Sequence, residues 1–186
     1  YELPTGKILG AQAIGKGAVD KRIDVIATLI TMNGTIYDLQ ELELTYSPMF
    51  STAKDVTNLA GLVAGNLMSG RLKQIHVEDV RELVKSDAYF LDVREEQETA
   101  NGHVKGAHFI PLSQLRERMH EIPKDVSIYV YCRSAQRSYN AVSALTGNGW
   151  NNVYNVSGSF LGLSLYEYFT DVTTGREPIV TNYNFK

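Results

Sequence analysis

The chain has 186 residues, of which 44% are hydrophobic and 21% are charged, and its formal net charge is −3. This composition is typical of one globular domain or two small ones, and the charge gives no reason to expect nucleic acid or an anionic membrane as a partner. No apolar run reaches the roughly 18 residues that span a bilayer, and the single cysteine excludes an internal disulfide, which favours a reducing, cytoplasmic location. The sequence starts at Tyr1 without a signal-peptide pattern, and we expect it to be a piece of a longer protein.

The first seventy residues are predicted to mix strands and helices. Residues 7–14 read as a strand, and apolar residues at helical spacing from Val19 to Ile30 predict a helix that the Asn33-Gly34 turn ends. Alternating residues 38–45 predict a half-buried strand. The segment 52–55 resembles a capping box, followed by a helix. An apolar stripe on that helix is formed by Val56, Leu59, Val63 and Leu67.

The remainder of the chain alternates strand and helix patterns. Ser69-Gly70 marks a linker, which divides the chain into residues 1–70 and 71–186. A short helix is predicted over 78–85, and apolar strands begin at Tyr89, Ile128 and Val153. This pattern is typical of an open parallel sheet covered by helices, in which ligands bind beyond the carboxyl ends of the strands.

The only cysteine, Cys132, lies at such a strand end, where a loop opens a helix. Backbone N–H groups at a helix start favour a bound anion, and two arginines add positive charge, so we expect a thiol that ionises more easily than a free one. The thiolate is the nucleophilic form. An inert buried cysteine is the alternative. The candidate substrate-binding loop comprises Arg133, Ser134, Ala135, Gln136, Arg137 and Ser138.

Several short segments of the first seventy residues resemble the C-terminal dimerisation domain of flavin- and NAD(P)H-dependent disulfide reductases. The resemblance is closest to the branch with coenzyme A-disulfide reductases and NADH oxidases, and it rests on residues 8–12, 46–51, 54–55 and 58–61. It implies a homodimer through residues 1–70. It also implies that Tyr46 or Phe50 faces a coenzyme A or flavin pocket, although ordinary packing at a strand end explains both residues equally well.

The same resemblance implies FAD, NAD(P)H and coenzyme A as cofactors of a longer protein. The sequence has no Gly-x-Gly-x-x-Gly after a strand and no second redox cysteine, so we expect no cofactor to be held by this chain alone. Its four histidines are scattered without metal-ligand spacing, and no metal site is predicted. His103, between glycines in a turn, is interpreted as structural.

The second half of the chain resembles the rhodanese domain. The motifs that carry this resemblance are residues 91–94, 102–104, 106–107, 110–111, 131–134, 137–138, 152–156 and Gly158. Rhodaneses hold sulfane sulfur on the loop cysteine as a persulfide. Two departures concern Ala135, where many members have glycine, and Ser157-Gly158-Ser159, which replaces a commoner Gly-Gly pair. Taken together, the two parts of the chain resemble fusions of coenzyme A-disulfide or persulfide reductases with a C-terminal rhodanese domain.

We therefore predict an α/β protein in which an α+β fragment of a reductase dimerisation domain precedes a rhodanese-like open parallel sheet covered by helices. Cys132 would take sulfur from a sulfane donor and pass it to a thiol acceptor, with the loop N–H groups and the arginines stabilising the anion. Ser138 would donate a hydrogen bond or cap the helix. Asp92 and Arg94 would form an ion pair that braces the loop.

Two alternatives remain. One is a non-catalytic interaction module, and the other is a cysteine phosphatase, whose pattern needs five residues between cysteine and arginine, whereas Cys132 and Arg137 enclose four. The nearby glutamates are interpreted simply as the charged face of a short helix. They are Glu95, Glu96 and Glu98.

Overall fold

A computed structural model describes residues 1–185 of the chain. The residues fall into two compact units, Tyr1–Arg71 and Leu72–Lys186. No helix within the described residues is both long enough and apolar enough to cross a membrane.

The first unit consists of three helices and one isolated antiparallel bridge between Lys7 and Thr35. The helices are α1 (Val19–Thr31), α2 (Ile36–Glu41) and α3 (Val56–Met68). The predicted helix beginning at Val19 is therefore confirmed. The core of the unit is formed by Ile8, Leu29, Ile36, Leu39 and Ala64.

The two strands predicted in this unit, over 7–14 and 38–45, are wrong. Residues 36–41 form helix α2 because Thr35 and Asp38 cap it reciprocally. The Asp38 N–H donates to Thr35 Oγ1 at 3.3 Å, and the Thr35 N–H donates to Asp38 Oδ2 at 2.7 Å. Ile36 and Leu39, three residues apart, then share the buried face. The alternating apolar pattern indicated a strand only because this cap was not recognised.

Helix α3 follows the predicted capping box, as expected, but its N-cap is the last residue of that box and not Thr52. Asp55, the last residue of the predicted box, is the N-cap: it accepts the Thr57 N–H at 3.1 Å, and Asn58 Oδ1 accepts the Asp55 N–H at 3.2 Å. The helix buries its small and polar face against α2, since a Cβ atom on Gly61 would lie 2.9 Å from Ile36 O. The apolar residues of the predicted stripe consequently point away from the core, and Val56, Leu59 and Val63 are exposed.

The second unit is built on a five-stranded sheet in which all pairs are parallel and the order is β1-β5-β4-β2-β3. The strands are β1 (Gln74–Ile75), β2 (Tyr89–Asp92), β3 (His108–Phe109), β4 (Ile128–Tyr131) and β5 (Val153–Val156). The predicted α/β class and open parallel sheet are confirmed. Strands β1 and β3 were not predicted, because two residues are too few to show a period.

Five helices belong to the second unit within the described residues: α4 (Val77–Lys85), α5 (Glu96–Ala100), α6 (Leu115–Arg118), α7 (Gln136–Gly147) and α8 (Ser159–Thr174). A 3-10 turn, Met119–Glu121, follows α6. Helix α7 packs on β4 and β5, and α4 packs on α8. The central strands are buried on both faces, as expected of a covered parallel sheet.

Candidate active site around Cys132

Cys132 follows β4, the middle strand of the sheet, and β2 and β5 flank it on either side. In the register of β2 and β4, Asp92 pairs with Tyr131, so Asp92 lies beside the residue that precedes the cysteine. The Cys132 side chain is 1% exposed. The first residues of helix α8 also reach this point, since the N–H of Phe160 donates to Cys132 O at 3.1 Å. Three elements thus converge on the cysteine.

The loop after β4 turns back at Ala135, which has φ 76° and ψ −9° and is the N-cap of α7. This left-handed conformation is costly for alanine, because alanine carries a Cβ atom. The backbone N–H groups of Ser134, Arg137 and Ser138 in this loop stabilise the charged form of Cys132 and so lower its pKa. The predicted arc of N–H groups around the sulfur is therefore present, and Ser134 itself is exposed.

The acidity of Cys132 reflects two opposing effects. Burial raises the pKa of the thiol, because a charged sulfur loses hydration. The N–H and hydroxyl groups of Ser138, together with the N–H groups of Ser134 and Arg137, lower the pKa by stabilising the thiolate. The hydrogen bonds outweigh the effect of burial, so the pKa of the Cys132 thiol lies below the ordinary value. The site can therefore hold an anionic sulfur in a buried position.

Two serine hydroxyls lie next to the sulfur. Ser138 Oγ lies 3.6 Å from Cys132 Sγ and 3.1 Å from Ala135 O, so its single O–H can donate either to the sulfur or to the carbonyl at the start of the helix. Ser159, which the sequence analysis did not select, accepts the Cys132 N–H at 3.2 Å and lies 3.3 Å from Ser138 Oγ. Its φ of 50° explains why glycine suits this position. The sequence signal that could have identified Ser159 is its place at the start of α8, just after β5, the strand next to β4.

Arg137 is paired with Glu98, and this pair was missed. The two nitrogens Nη1 and Nη2 bond the two Glu98 carboxylate oxygens at 2.6 and 2.7 Å, and both side chains are about 30% exposed (31% and 29%). The interpretation of Glu98 as part of a plain charged helix face is therefore wrong. The two residues are 39 positions apart in the sequence, so no local spacing pattern predicts the pair. The other loop side chains, Arg133 and Gln136, are exposed.

The predicted ion pair between Asp92 and Arg94 is present and fully buried. Arg94 Nη2 bonds Asp92 Oδ2 at 2.6 Å and Gly102 O at 2.7 Å, and the guanidinium lies 4.2 Å from the Phe160 ring centroid and 5.4 Å from that of Tyr131. Burial disfavours the charge of Arg94, but the hydrogen bonds to Asp92 raise its pKa. Because Tyr131 and Phe160 adjoin the cysteine loop, this pair is placed to brace it.

The remaining candidates lie in the first unit. Tyr46 and Phe50 are 54% and 80% exposed. Phe50 lines a cleft of about 570 Å³ together with Lys21 and Arg22. In residues 1–185, no group of three or more His, Cys, Asp or Glu side chains is placed to hold a metal ion. His103 bonds Thr99 O through Nδ1 at 3.0 Å.

Comparisons with known proteins identify the second unit. The family model of the rhodanese-like domain matches residues 76–165. The uncharacterized protein YqhL of Bacillus subtilis is 36% identical over 99 residues, which cover 53% of this chain and 79% of YqhL. A sulfurtransferase of Allochromatium vinosum is 37% identical over 75 residues, or 40% of this chain and 70% of that protein. A coenzyme A disulfide reductase of Staphylococcus epidermidis is 42% identical over 64 residues, but these are 15% of its length and 34% of this chain.

Two solved structures are similar to most of the chain. Reduced CoADR-RHD of Bacillus anthracis matches with a TM-score of 0.76 and 42% identity, covering 80% of this chain and 26% of that one. The NAD-dependent persulfide reductase of A. fulgidus matches with a TM-score of 0.74 and 35% identity, covering 86% and 28%. This chain thus spans about a quarter of each structure. The predicted relationship to a rhodanese domain beside a reductase-related segment is confirmed, and the chain belongs to the rhodanese family.

Proposed function

We propose that the chain is a thiol sulfurtransferase that carries sulfane sulfur as a persulfide on Cys132. The observation that carries this proposal is a lone thiol at the end of the central strand, whose pKa is lowered by three backbone N–H groups and the Ser138 hydroxyl. These donors can stabilise an anionic persulfide, because they already point at the sulfur and need not rearrange when it becomes negatively charged. Curated relatives include a sulfurtransferase and the putative sulfurtransferase YtwF of Bacillus subtilis.

The chemistry needs two displacements at sulfur. The Cys132 thiolate attacks the outer sulfur of the donor, whose S–S bond breaks, and the leaving group departs with the bonding electron pair. The outer sulfur is then bound to Cys132 as a persulfide. An acceptor thiolate attacks the protonated form of that terminal sulfur, the Cys132 S–S bond breaks, and the Cys132 thiolate is regenerated. No external oxidant or reductant enters either step.

One observation favours the alternative of a non-catalytic interaction module. Cys132 is only 1% exposed, whereas a nucleophile must meet its substrate. Three residues of the loop around the thiol, Arg133, Ser134 and Gln136, are exposed, so a small donor needs only a modest opening of this loop to reach the sulfur. The phosphatase alternative loses support, because four residues separate Cys132 from Arg137 and that arginine is already paired with a carboxylate.

Mass spectrometry tests the proposal directly. After incubation with thiosulfate or a polysulfide, the intact chain should gain the mass of one sulfur atom, and an added thiol should remove it. The Cys132→Ser variant should gain nothing, while Ser143→Ala, which alters an exposed position on α7, should gain as much as the parent. An unchanged mass in the parent chain would leave the interaction module as the better explanation.

We further propose that the full-length protein is a flavin-dependent coenzyme A-disulfide or persulfide reductase. The similarity of 80% and 86% of this chain to the two reductase structures supports this. The described residues of the first unit form helices with a single bridge, and so do not fit a dinucleotide fold; FAD and NAD(P)H would be bound by other parts of such a protein. The exposed Tyr46 and Phe50 are the residues of this unit that we propose for a coenzyme A or flavin pocket. A lone nucleophilic cysteine suits a cytoplasmic protein.

A further inference from the structure

The recognition face of the loop arginine is turned toward a carboxylate of the same chain. A guanidinium binds an oxyanion best through two parallel N–H groups, and this is the geometry with which Arg137 binds Glu98, at 2.6 and 2.7 Å. The same two N–H groups are the ones that a sulfonate or phosphate would need. When an oxyanion reaches the loop, these two Arg137 N–H groups are therefore already bonded to Glu98.

Glu98 is also held firmly in place. Its Oε2 accepts the N–H of Glu95 at 3.1 Å, which closes the capping box of α5. The pKa of Glu98 lies below its usual range, mainly because Arg137 bonds the carboxylate, so the group is ionised at neutral pH. Glu98 thus places a permanent negative charge next to the loop that would receive the donor.

The charge balance of the site follows from these contacts. Arg94 and Asp92 form a buried pair with no net charge, and Arg137 and Glu98 form a second neutral pair. Arg133 is exposed and makes contacts of its own, and the reacting Cys132 thiolate adds a negative charge. The side chains therefore offer no surplus positive charge to a donor. A doubly charged donor is repelled by the thiolate and gains no net attraction from the neutral Arg137–Glu98 pair, whereas a donor with one negative charge or none is repelled less.

We propose that Glu98 determines substrate specificity by neutralising Arg137, so that the site selects sulfane donors with one negative charge or none over dianionic donors such as thiosulfate. This inference rests on the proposed sulfurtransferase function and adds the charge class of the donor. Glu98 acts through Arg137 and contacts no reacting atom, so it is a positioning residue.

Two donors of similar shape test the proposal. Thiosulfate carries two negative charges and methanethiosulfonate one, and both transfer a terminal sulfur to Cys132, releasing sulfite and methanesulfinate with the electron pair of the broken S–S bond. In Glu98→Gln, kcat/KM for thiosulfate should rise about tenfold relative to kcat/KM for methanethiosulfonate, because one negative charge near the donor is removed. The glutamine can still accept the Glu95 N–H, which preserves the cap.

Glu96→Gln is the matched control. It removes the same charge from the same helix, at an exposed position. The ratio of the two kcat/KM values should stay as in the parent chain. An unchanged ratio in Glu98→Gln, or an equal rise in Glu96→Gln, would overturn the proposal.

A binding measurement separates this inference from the proposed function. If neither donor transfers sulfur to the parent chain, the sulfurtransferase proposal fails, but the charge argument can still be decided with sulfate and methanesulfonate, which bind without reacting. Titration followed by NMR of the loop amides should show tighter binding of sulfate, but not of methanesulfonate, in Glu98→Gln. Equal sulfate affinities in Glu98→Gln and the parent chain would contradict the inference.

Discussion

Around Cys132 the donors of a single short loop act on a sulfur that burial would otherwise keep protonated. The Ser138 hydroxyl, 3.6 Å from Sγ, is a side-chain donor among the groups that lower the thiol pKa. Because this pKa is lowered, the thiolate is present above it and the rate of persulfide formation should rise with pH through the pKa and then level off. The loop thus fixes the pH range in which the site can react.

Removing the Ser138 hydroxyl should move this rise to higher pH. In Ser138→Ala, the thiolate loses a stabilising hydrogen bond, so below the pKa the rate of persulfide formation should fall about fivefold, while at high pH the rates should converge. The measurement is the pH dependence of sulfur uptake by the intact chain. Ser143→Ala, on the exposed side of the same helix, should leave the profile unchanged. A fall that persists at high pH would indicate a damaged loop instead of a shifted pKa.

Ala135 provides a test of backbone strain in the same loop. Its φ of 76° is costly for a residue with a Cβ atom, so Ala135→Gly should raise the free energy of unfolding by about 0.5–1 kcal/mol. The identical substitution at Ala144, inside helix α7, should lower it by about 1 kcal/mol. Urea denaturation of the two variants should therefore give opposite signs. Destabilisation by both would mean that Ala135 makes a contact that outweighs its strain.

At the scale of elements, long periodic segments were predictable and short or capped ones were not. The strands beginning at Tyr89, Ile128 and Val153 carry enough apolar residues to be recognised, and the cysteine loop follows from the strand before it. Helix α2 was not predicted, because a six-residue helix depends on its Thr35 cap more than on its pattern. The ion pair between Arg137 and Glu98 could not be predicted from the sequence, because only the folded sheet brings α5 next to the cysteine loop.

The last segment of the chain, beyond the residues that match the family model, is tied to the second unit by buried charges. Arg81 on α4 pairs with Glu167 and Asp171 on α8, where the two carboxylates are 1% and 2% exposed. Arg176 bonds both carboxylates, and the Tyr183 hydroxyl bonds Asp171. Residues 176–183 are therefore an integral part of the second unit.

Breaking this network should unfold the second unit more easily. Arg81→Met leaves Glu167 and Asp171 with fewer partners in a buried position, and we expect a loss of about 3 kcal/mol in the free energy of unfolding. Lys85→Met, which removes an exposed ion pair on the same helix, should change the stability very little. Thermal and urea denaturation measure both. If Arg81→Met were as stable as the parent chain, Arg176 alone would suffice to compensate the carboxylates.

For the whole molecule, the first unit determines what the chain can do without the rest of a reductase. Its described residues carry no strand followed by a glycine-rich turn, so the purified chain should show neither a flavin absorbance band nor NADH oxidation. Reconstitution with FAD followed by desalting should leave the protein colourless. A retained flavin band would show that this unit binds the cofactor by itself.

The same unit presents an uncovered apolar surface. On helix α3, Val56, Leu59, Leu62 and Val63 are 37–56% exposed, since the helix uses its small residues to pack on α2. Apolar side chains grouped on one face of a helix are typical of an interface between protein chains. A second copy of this face would cover it symmetrically, as in a two-fold dimer. The surface thus supports the proposed self-association through residues 1–70.

We expect light scattering to show that the chain is a dimer and that the double variant Leu59→Glu, Val63→Glu is a monomer, because four like charges would meet in the buried interface. The chain offers a control in Leu165→Glu, Phe169→Glu, which changes two exposed apolar residues on helix α8 of the second unit. This control should remain dimeric. Residues 72–186 alone should be monomeric whatever the concentration. A monomeric parent chain, or a control variant that dissociates as completely as the α3 variant, would place the association elsewhere or exclude it.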